Sequence, residues 1–318
     1  MDVRVLGGSE VSVSRIGLGG FELGPEEGDE PDVDRAVGVL TASLDAGVNW
    51  LDTSENYLNT NNESLIGAAL AKLGTNIKIA TKAAPGAKIT GGGSGFRPHQ
   101  IHQACLGSLR RLGRDVIDMY FLHWPDESGV PLEDTWGAMA ELVDEGLVRA
   151  IGMSNYELAE IENCNKQRPV DVVQTGLSMI DYLADRALVA ECGDLGISVV
   201  IYEPLGSGIL TGRSLEEVRA IWTGPWVESA FYQRLLAPGN AERSFAVVDG
   251  IRPIAAARGW TVAQAAIAWV LAQPGVSAAI AGSRDGRHMR ENAEAAAINL
   301  AEARAELEAL ITLGPGFA

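Results

Sequence analysis

Eight short apolar runs, each followed by a stretch with helical periodicity, constrain this chain more than any other feature: 15–18, 48–51, 77–81, 116–122, 148–152, 171–174, 197–201 and 276–280. They are nearly continuous in apolar residues, as parallel strands covered on both faces are. Between them, Val33, Ala36, Val37, Leu40 and Leu44 keep a helical repeat, with Asp32 placed to cap it and Gly47 to stop it. Ile101, Cys105, Leu109 and Leu112 form one stripe of a helix opened by Pro98, and Leu132, Trp136, Met139 and Val143 form another. Further helices are expected at 63–73, 157–166, 185–193, 244–258, 261–272, 286–297 and 301–313. Strand alternating with helix in a chain of 318 residues predicts the α/β class. Eight such units predict a single (β/α)8 TIM barrel over residues 1–318, because an open doubly wound sheet needs fewer strands.

Outside this rhythm, Val3–Leu6 and Val11–Val13 flank Gly7-Gly8 and predict an N-terminal β-hairpin. The helices after residue 244 include auxiliary ones, residues 203–243 read as a long loop, and Gly91-Gly92-Gly93-Ser94-Gly95 reads as a mobile one. Gly17-Leu18-Gly19 opens like a dinucleotide fingerprint, but the third glycine would fall where Glu22 stands, so a tight strand exit is expected instead.

Composition serves mainly to exclude. A balance of 42 acidic to 25 basic residues, net −17, suits neither nucleic acid nor anionic lipid. No apolar run approaches a membrane span, and three dispersed cysteines fit a reducing compartment, so a soluble, cytoplasmic protein is expected. No metal is expected, since His99 and His102 lack a third converging ligand. Cys105 and Cys164 are expected to be buried, and Trp50, Trp136, Trp260 and Trp269 to lie in the core. The oligomeric state is left open, a monomer being compatible with everything above.

Working residues of such a barrel gather where its strands end. Here those ends carry Asp52, Lys82, His123, Ser154-Asn155, Gln174, Tyr202 and Gly282-Ser283-Arg284, with Tyr57 in a polar turn just past the first. Taken singly these are a capping acid, a solvated lysine, a satisfied histidine and a surface tyrosine. An acid, a lysine and a histidine at the ends of successive strands, beside that tyrosine, point instead to a catalytic cluster. Ser154, Asn155 and Gln174 offer hydroxyl and amide groups suited to a flat carboxamide, and Tyr202 a ring suited to stacking on a heterocycle.

Six blocks in order carry a resemblance to the aldo-keto reductase family: GVNWLDTSENY, IKIATK, DVIDMYFLHW, VRAIGMSNY, VVIYEPLGSGILTG and AGSRDGRHMREN. The resemblance implies that Asp52, Tyr57, Lys82 and His123 form the catalytic tetrad. It implies that Ser154, Asn155 and Gln174 hold a nicotinamide carboxamide, that Tyr202 stacks on its ring, and that Leu205 and Ser207 approach the pyrophosphate. Ser283, Arg284, Glu291 and Asn292 match the adenosine end. Gly282 stands where many members carry lysine, His288 occupies another often basic place, and Leu58 follows the tyrosine where glycine is common.

The chemistry of carbonyl reduction suits that assignment. A tyrosine, with an ordinary pKa of about 10, keeps its proton until charge develops on the substrate oxygen. A neighbouring ammonium is expected to lower that pKa, with Asp52 keeping Lys82 charged and His123 donating a hydrogen bond to the same oxygen. Arg284 favours NADPH, since a guanidinium pairs well with a phosphate, while NADH stays open. Phe21, Trp124, Trp222, Trp226 and Phe231 are expected to line a mostly apolar pocket for a small-molecule carbonyl substrate. Two other functions compete: a cofactor-binding, redox-sensing regulatory subunit resembling potassium-channel β subunits, and a Schiff-base lyase using Lys82.

Overall fold

The computed structural model describes residues 1–25, 30–58, 61–86, 94–181, 186–221, 227 and 230–315. Strands β1 (Val3–Val5) and β2 (Ser12–Ser14) form the expected antiparallel hairpin. The turn between them needs glycine at position 7, where φ is +50° and a Cβ would come within 2.4 Å of the Asp171 carbonyl oxygen. The hairpin is thereby pressed against the start of the barrel strands, with the Gly7 amide donating to Ser198 Oγ at 3.0 Å.

The barrel strands are β3 (Ile16–Gly19), β4 (Trp50–Asp52), β5 (Lys78–Ala83), β6 (Ile117–Leu122), β7 (Val148–Ser154), β8 (Val172–Gly176), β9 (Ser198–Tyr202) and β10 (Val276–Gly282). All pair in parallel, and β10 returns to β3 to close the ring. Around it lie α1 (Val33–Asp45), α2 (Asn61–Leu73), α3 (Pro98–Leu112), α4 (Leu132–Asp144), α5 (Leu158–Gln167) and α6 (Arg186–Asp194). Then come α7 (Leu215–Ile221), α8 (Ala230–Leu236), α9 (Asn240–Ala256), α10 (Val262–Leu271), α11 (Gly286–Glu294) and α12 (Arg304–Leu310). Asp32 caps α1 as expected, its carboxylate accepting from the Arg35 amide at 2.9 Å.

Alternation along the strands decides what fills the barrel. Trp50, Ala80, Met119, Phe121, Ala150, Val172, Val200, Ala278 and Ile280 point inward and pack with Leu6, Val11 and Val13 of the hairpin, which close the end where the strands begin. Trp50 claims the space beside β3: a Cβ on Gly17 would sit 2.3 Å from its indole, so the Gly17-Leu18-Gly19 run serves barrel packing. The outward-facing residues form a larger cluster with the apolar faces of the helices.

Three expectations need correction. Part of 203–243 is helical, as α7 and α8, because seven-residue helices carry too few turns for a periodic signal. The expected 286–297 and 301–313 helices each end in a tighter 3-10 turn, at Ala295–Ala297 and Ile311–Leu313. Trp260 is partly exposed, with the Arg258 guanidinium over its ring at 5.8 Å, whereas Trp50, Trp136 and Trp269 are fully buried. Cys105, Cys164 and Cys192 are free and buried. Of the glycine-rich stretch, residues 91–93 lie outside the described residues, as do Trp222 and Trp226. Among the described residues no helix is long and apolar enough to cross a membrane.

Candidate active site

Continuing the inward alternation one step past Trp50, Ala80, Phe121, Val172 and Val200 gives Asp52, Lys82, His123, Gln174 and Tyr202. These polar groups form the layer above the apolar filling, at the end the hairpin leaves open. Lys82 is fully buried and Asp52 is 4 % exposed. The Lys82 ammonium donates to Asp52 Oδ2 at 2.6 Å, to the Thr53 carbonyl at 2.7 Å and to the Tyr57 hydroxyl at 3.4 Å. Three donors thus meet three acceptors. Gln174 Nε2 holds the other Asp52 oxygen at 2.8 Å. Burial lowers the Lys82 pKa below its ordinary value, and the charge and hydrogen bond of Asp52 offset that only in part.

The expected lowering of the Tyr57 pKa is not what this environment produces. Burial, then the charges of Asp52 and Glu203, push the phenol well above its ordinary value. The Lys82 charge is already offset by the carboxylate on its other side. Tyr57 is therefore a neutral phenol across the physiological range, held against an ammonium ready to stabilise it once it ionises. Burial and the nearby Lys82 charge push His123 well below the usual imidazole value, so it too is neutral. Its ring stands edge-on to Tyr57, with centroids 5.6 Å apart, and Trp124 stacks on it at 3.3 Å. Phe21, 39 % exposed, meets the other side of Tyr57 edge-on at 5.2 Å. Phe231 lies in α8 with its side chain outside the described residues.

The groups expected to hold a nicotinamide are brought to the same rim. Asn155, at φ +66°, donates to the His123 carbonyl and to Ser154 Oγ, both at 3.0 Å, and accepts from the Tyr202 hydroxyl at 2.7 Å. Its amide thus sets the position of its neighbours. The Ser154 hydroxyl keeps its own hydrogen to donate, and Gln174 keeps its amide oxygen and a second N–H, a donor and acceptor set that fits a flat carboxamide. A Cβ on Gly176 would lie 2.9 Å from the Tyr202 ring, so glycine there lets the ring lie close against β8. Ser207 Oγ donates to Glu203 Oε2 at 2.8 Å, and Leu205 is partly buried beside it.

At the far end, Arg284 Nε donates to Glu22 Oε2 at 3.0 Å. The absence of a side chain at 282 makes room for this pair, since a Cβ there would lie 2.6 Å from Glu22 Cγ. Ser283 and Asn292 are buried, the Ser283 hydroxyl donating to the Asp285 carbonyl at 2.6 Å. Glu291 accepts at its backbone from Gln264, and His288 lies 3.9 Å from Asp285.

Residues the sequence did not single out complete the arrangement. Ser54 Oγ lies 2.9 Å from His123 Nδ1 and 2.6 Å from Asn56 Oδ1. Glu55, buried, accepts from the Ala84 and Ser94 amides at 2.8 and 3.2 Å and from Ser94 Oγ at 2.8 Å, tying the loop after β5 to the turn before Tyr57. Glu203, at φ +52°, accepts from Tyr232 of α8 at 3.0 Å, and burial raises its carboxyl to about 7. The only signal for these residues in the sequence was their place beside a strand end.

Comparison with known proteins places the barrel in one family. The Aldo/keto reductase family model matches residues 15–309. An NADH-specific methylglyoxal reductase from Escherichia coli is 30 % identical over 95 % of each chain. A glycerol dehydrogenase from Gluconobacter oxydans superposes with a TM-score of 0.82 at 26 % identity, covering 98 % of this chain and 94 % of that one. An aldo-keto reductase from Bacillus halodurans, solved in its holo form, gives 0.78 at 25 % identity, covering 98 % and 96 %. A match over nearly the whole barrel, joined to the acid, lysine, tyrosine and histidine at its open end, makes the chain a member of the aldo/keto reductase family and an NAD(P)H-dependent oxidoreductase.

Proposed function

We propose that the chain reduces small aldehydes and ketones to alcohols, with Tyr57 as proton donor and NADPH as the preferred nucleotide. The observation that carries this is the Lys82 ammonium, 2.6 Å from the Asp52 carboxylate and 3.4 Å from the Tyr57 hydroxyl. When bound, the nicotinamide supplies the hydride for the carbonyl carbon. Tyr57 holds its proton until negative charge grows on the carbonyl oxygen, and then releases it there. Lys82 stabilises the phenolate left behind, and Asp52 keeps Lys82 charged and in place. His123 and Trp124 form the adjoining wall and orient the carbonyl. Ser154, Asn155, Gln174 and Tyr202 would hold the nicotinamide end, Leu205 and Ser207 the pyrophosphate, and Ser283, Arg284, His288, Glu291 and Asn292 the adenosine end, where Glu22 packs against Gly282. With all three donors engaged, the Lys82 nitrogen has no lone pair to offer, which disfavours the Schiff-base alternative.

The nucleotide preference rests on Arg284, whose guanidinium suits a 2′-phosphate. Glu22 opposes that preference by pairing with it, so NADH is the alternative, and the Escherichia coli relative is NADH-specific. That relative's name gives methylglyoxal, a small carbonyl compound, as its substrate. Steady-state oxidation of NADPH and NADH against propanal, benzaldehyde, acetone and methylglyoxal tests the reading. Aldehyde-dependent turnover supports it, whereas nucleotide binding without turnover of any of them leaves the redox-sensing subunit.

A further inference from the structure

Two residues of the loop after β9 hold left-handed backbone without being glycine, Glu203 at φ +52° and Ser207 at φ +53°, and their side chains meet. Such backbone is costly, and it persists where the surroundings demand it. Ser207 Oγ donates to Glu203 Oε2 at 2.8 Å, and the Tyr232 hydroxyl of α8 donates to Glu203 Oε1 at 3.0 Å. With Glu203 ionised, the hydrogen that Ser207 carries is spent on the carboxylate, and its oxygen offers only lone pairs to anything else. That is the wrong polarity for an anion. Among the described residues, the charged and titratable groups around Glu203 are Asp181 of the loop after β8, Glu22 of the loop after β3, the phenols of Tyr57, Tyr202 and Tyr232, and Arg234 of α8, which pairs with Asp181 at 3.4 Å. Burial, then Asp181 and Glu22, lift the Glu203 carboxyl to about 7, so it takes up a proton near neutrality. Protonation turns the 2.8 Å contact round. The carboxyl O–H donates to Ser207 Oγ, because an alcohol oxygen accepts better than a phenol oxygen whose lone pair is delocalised into its ring, and the Ser207 hydrogen is released.

We propose that dinucleotide binding is coupled to protonation of Glu203, which frees the Ser207 hydroxyl to donate to the pyrophosphate. The proton comes from solvent, and no covalent bond of the nucleotide changes. The same proton removes a negative charge from beside the entering phosphates. Glu203 is thus a positioning residue that acts through Ser207, and nucleotide affinity falls as pH rises through neutrality. This rests on the reading of Ser207 as a pyrophosphate contact.

The test is equilibrium binding to the full chain, without substrate. NADH is the main probe, since it lacks a 2′-phosphate and its pyrophosphate does not titrate near neutrality. Its Kd, followed by fluorescence, is expected to weaken on the order of 5- to 10-fold between pH 6 and pH 8.5. Calorimetry at pH 7.5 in buffers of different ionisation enthalpy is expected to show uptake of about half a proton per NADH bound. Glu203→Gln, which can donate to Ser207 and accept from Tyr232 at every pH, is expected to flatten the profile and abolish the uptake. Ser207→Ala is expected to weaken binding on the order of 3- to 10-fold at pH 6, the worth of one hydrogen bond, and little at pH 8.5. A wild-type Kd that does not change with pH overturns the proposal, as does a slope that survives in Glu203→Gln. If Glu203→Gln does not fold, an equal loss at both pH values in Ser207→Ala overturns it. No binding of NADH or NADPH at any pH overturns the pyrophosphate reading and the proposal together, whereas pH-independent binding overturns the proposal alone.

Discussion

The Lys82 ammonium and the Asp52 carboxylate are in contact at 2.6 Å with almost no access to solvent. Removing one member of a buried pair leaves the other charged and unmatched, at a cost of about 3–5 kcal/mol. Asp52→Ala is therefore expected to lose about that much stability in urea denaturation, and to lose activity with it. The double variant Asp52→Leu with Lys82→Met is expected to recover most of the stability and none of the activity.

Glu22 and Arg284 form an exposed pair at the proposed adenosine end. Freeing the guanidinium by Glu22→Gln is expected to raise the kcat/KM ratio of NADPH over NADH by about two- to fivefold, the range typical of exposed ion pairs. Arg284→Ala is expected to shift the ratio the other way. Steady-state kinetics with both nucleotides measures both changes.

Glu203 makes stability depend on pH. Its folded-state carboxyl is raised from 4.5 to about 7, by burial first and then by Asp181 and Glu22, against hydrogen bonds from Ser207 and Tyr232 that lower it. The folded chain therefore binds a proton that the unfolded chain has released, and this contribution is lost as pH rises from 4.5 to about 7. Glu203→Gln removes that part of the slope. Melting temperatures at pH 5 and pH 7 are expected to differ less in the variant than in the wild type.

The barrel was legible in the sequence because each buried strand is an unbroken apolar run and each helix a single stripe. The grouping of Asp52, Lys82 and His123 was legible because they fall where inward alternation passes from apolar to polar. What escaped depends on contacts between distant segments. Ser54 and Asn56 look like turn residues until β6 brings His123 to them, and nothing local in Gly282 tells that Glu22 fills its place. The rise in the Tyr57 pKa was missed because it comes first from burial and then from the charges of Asp52 and of Glu203, 146 positions away, and burial is set by segments distant in the chain. The helices α7 and α8 were missed because they are too short to show a repeat.

The central claim is that Tyr57 delivers the proton, and Tyr57→Phe tests it most directly, because the ring is kept and only the hydroxyl is lost. Aldehyde-dependent oxidation of NAD(P)H, followed alongside nucleotide binding by fluorescence, is the measurement. The predicted result is a fall in kcat of about 10²- to 10⁴-fold with nucleotide affinity unchanged. Retention of kcat within about twofold of wild type would contradict the account, because a general acid contributes far more than that.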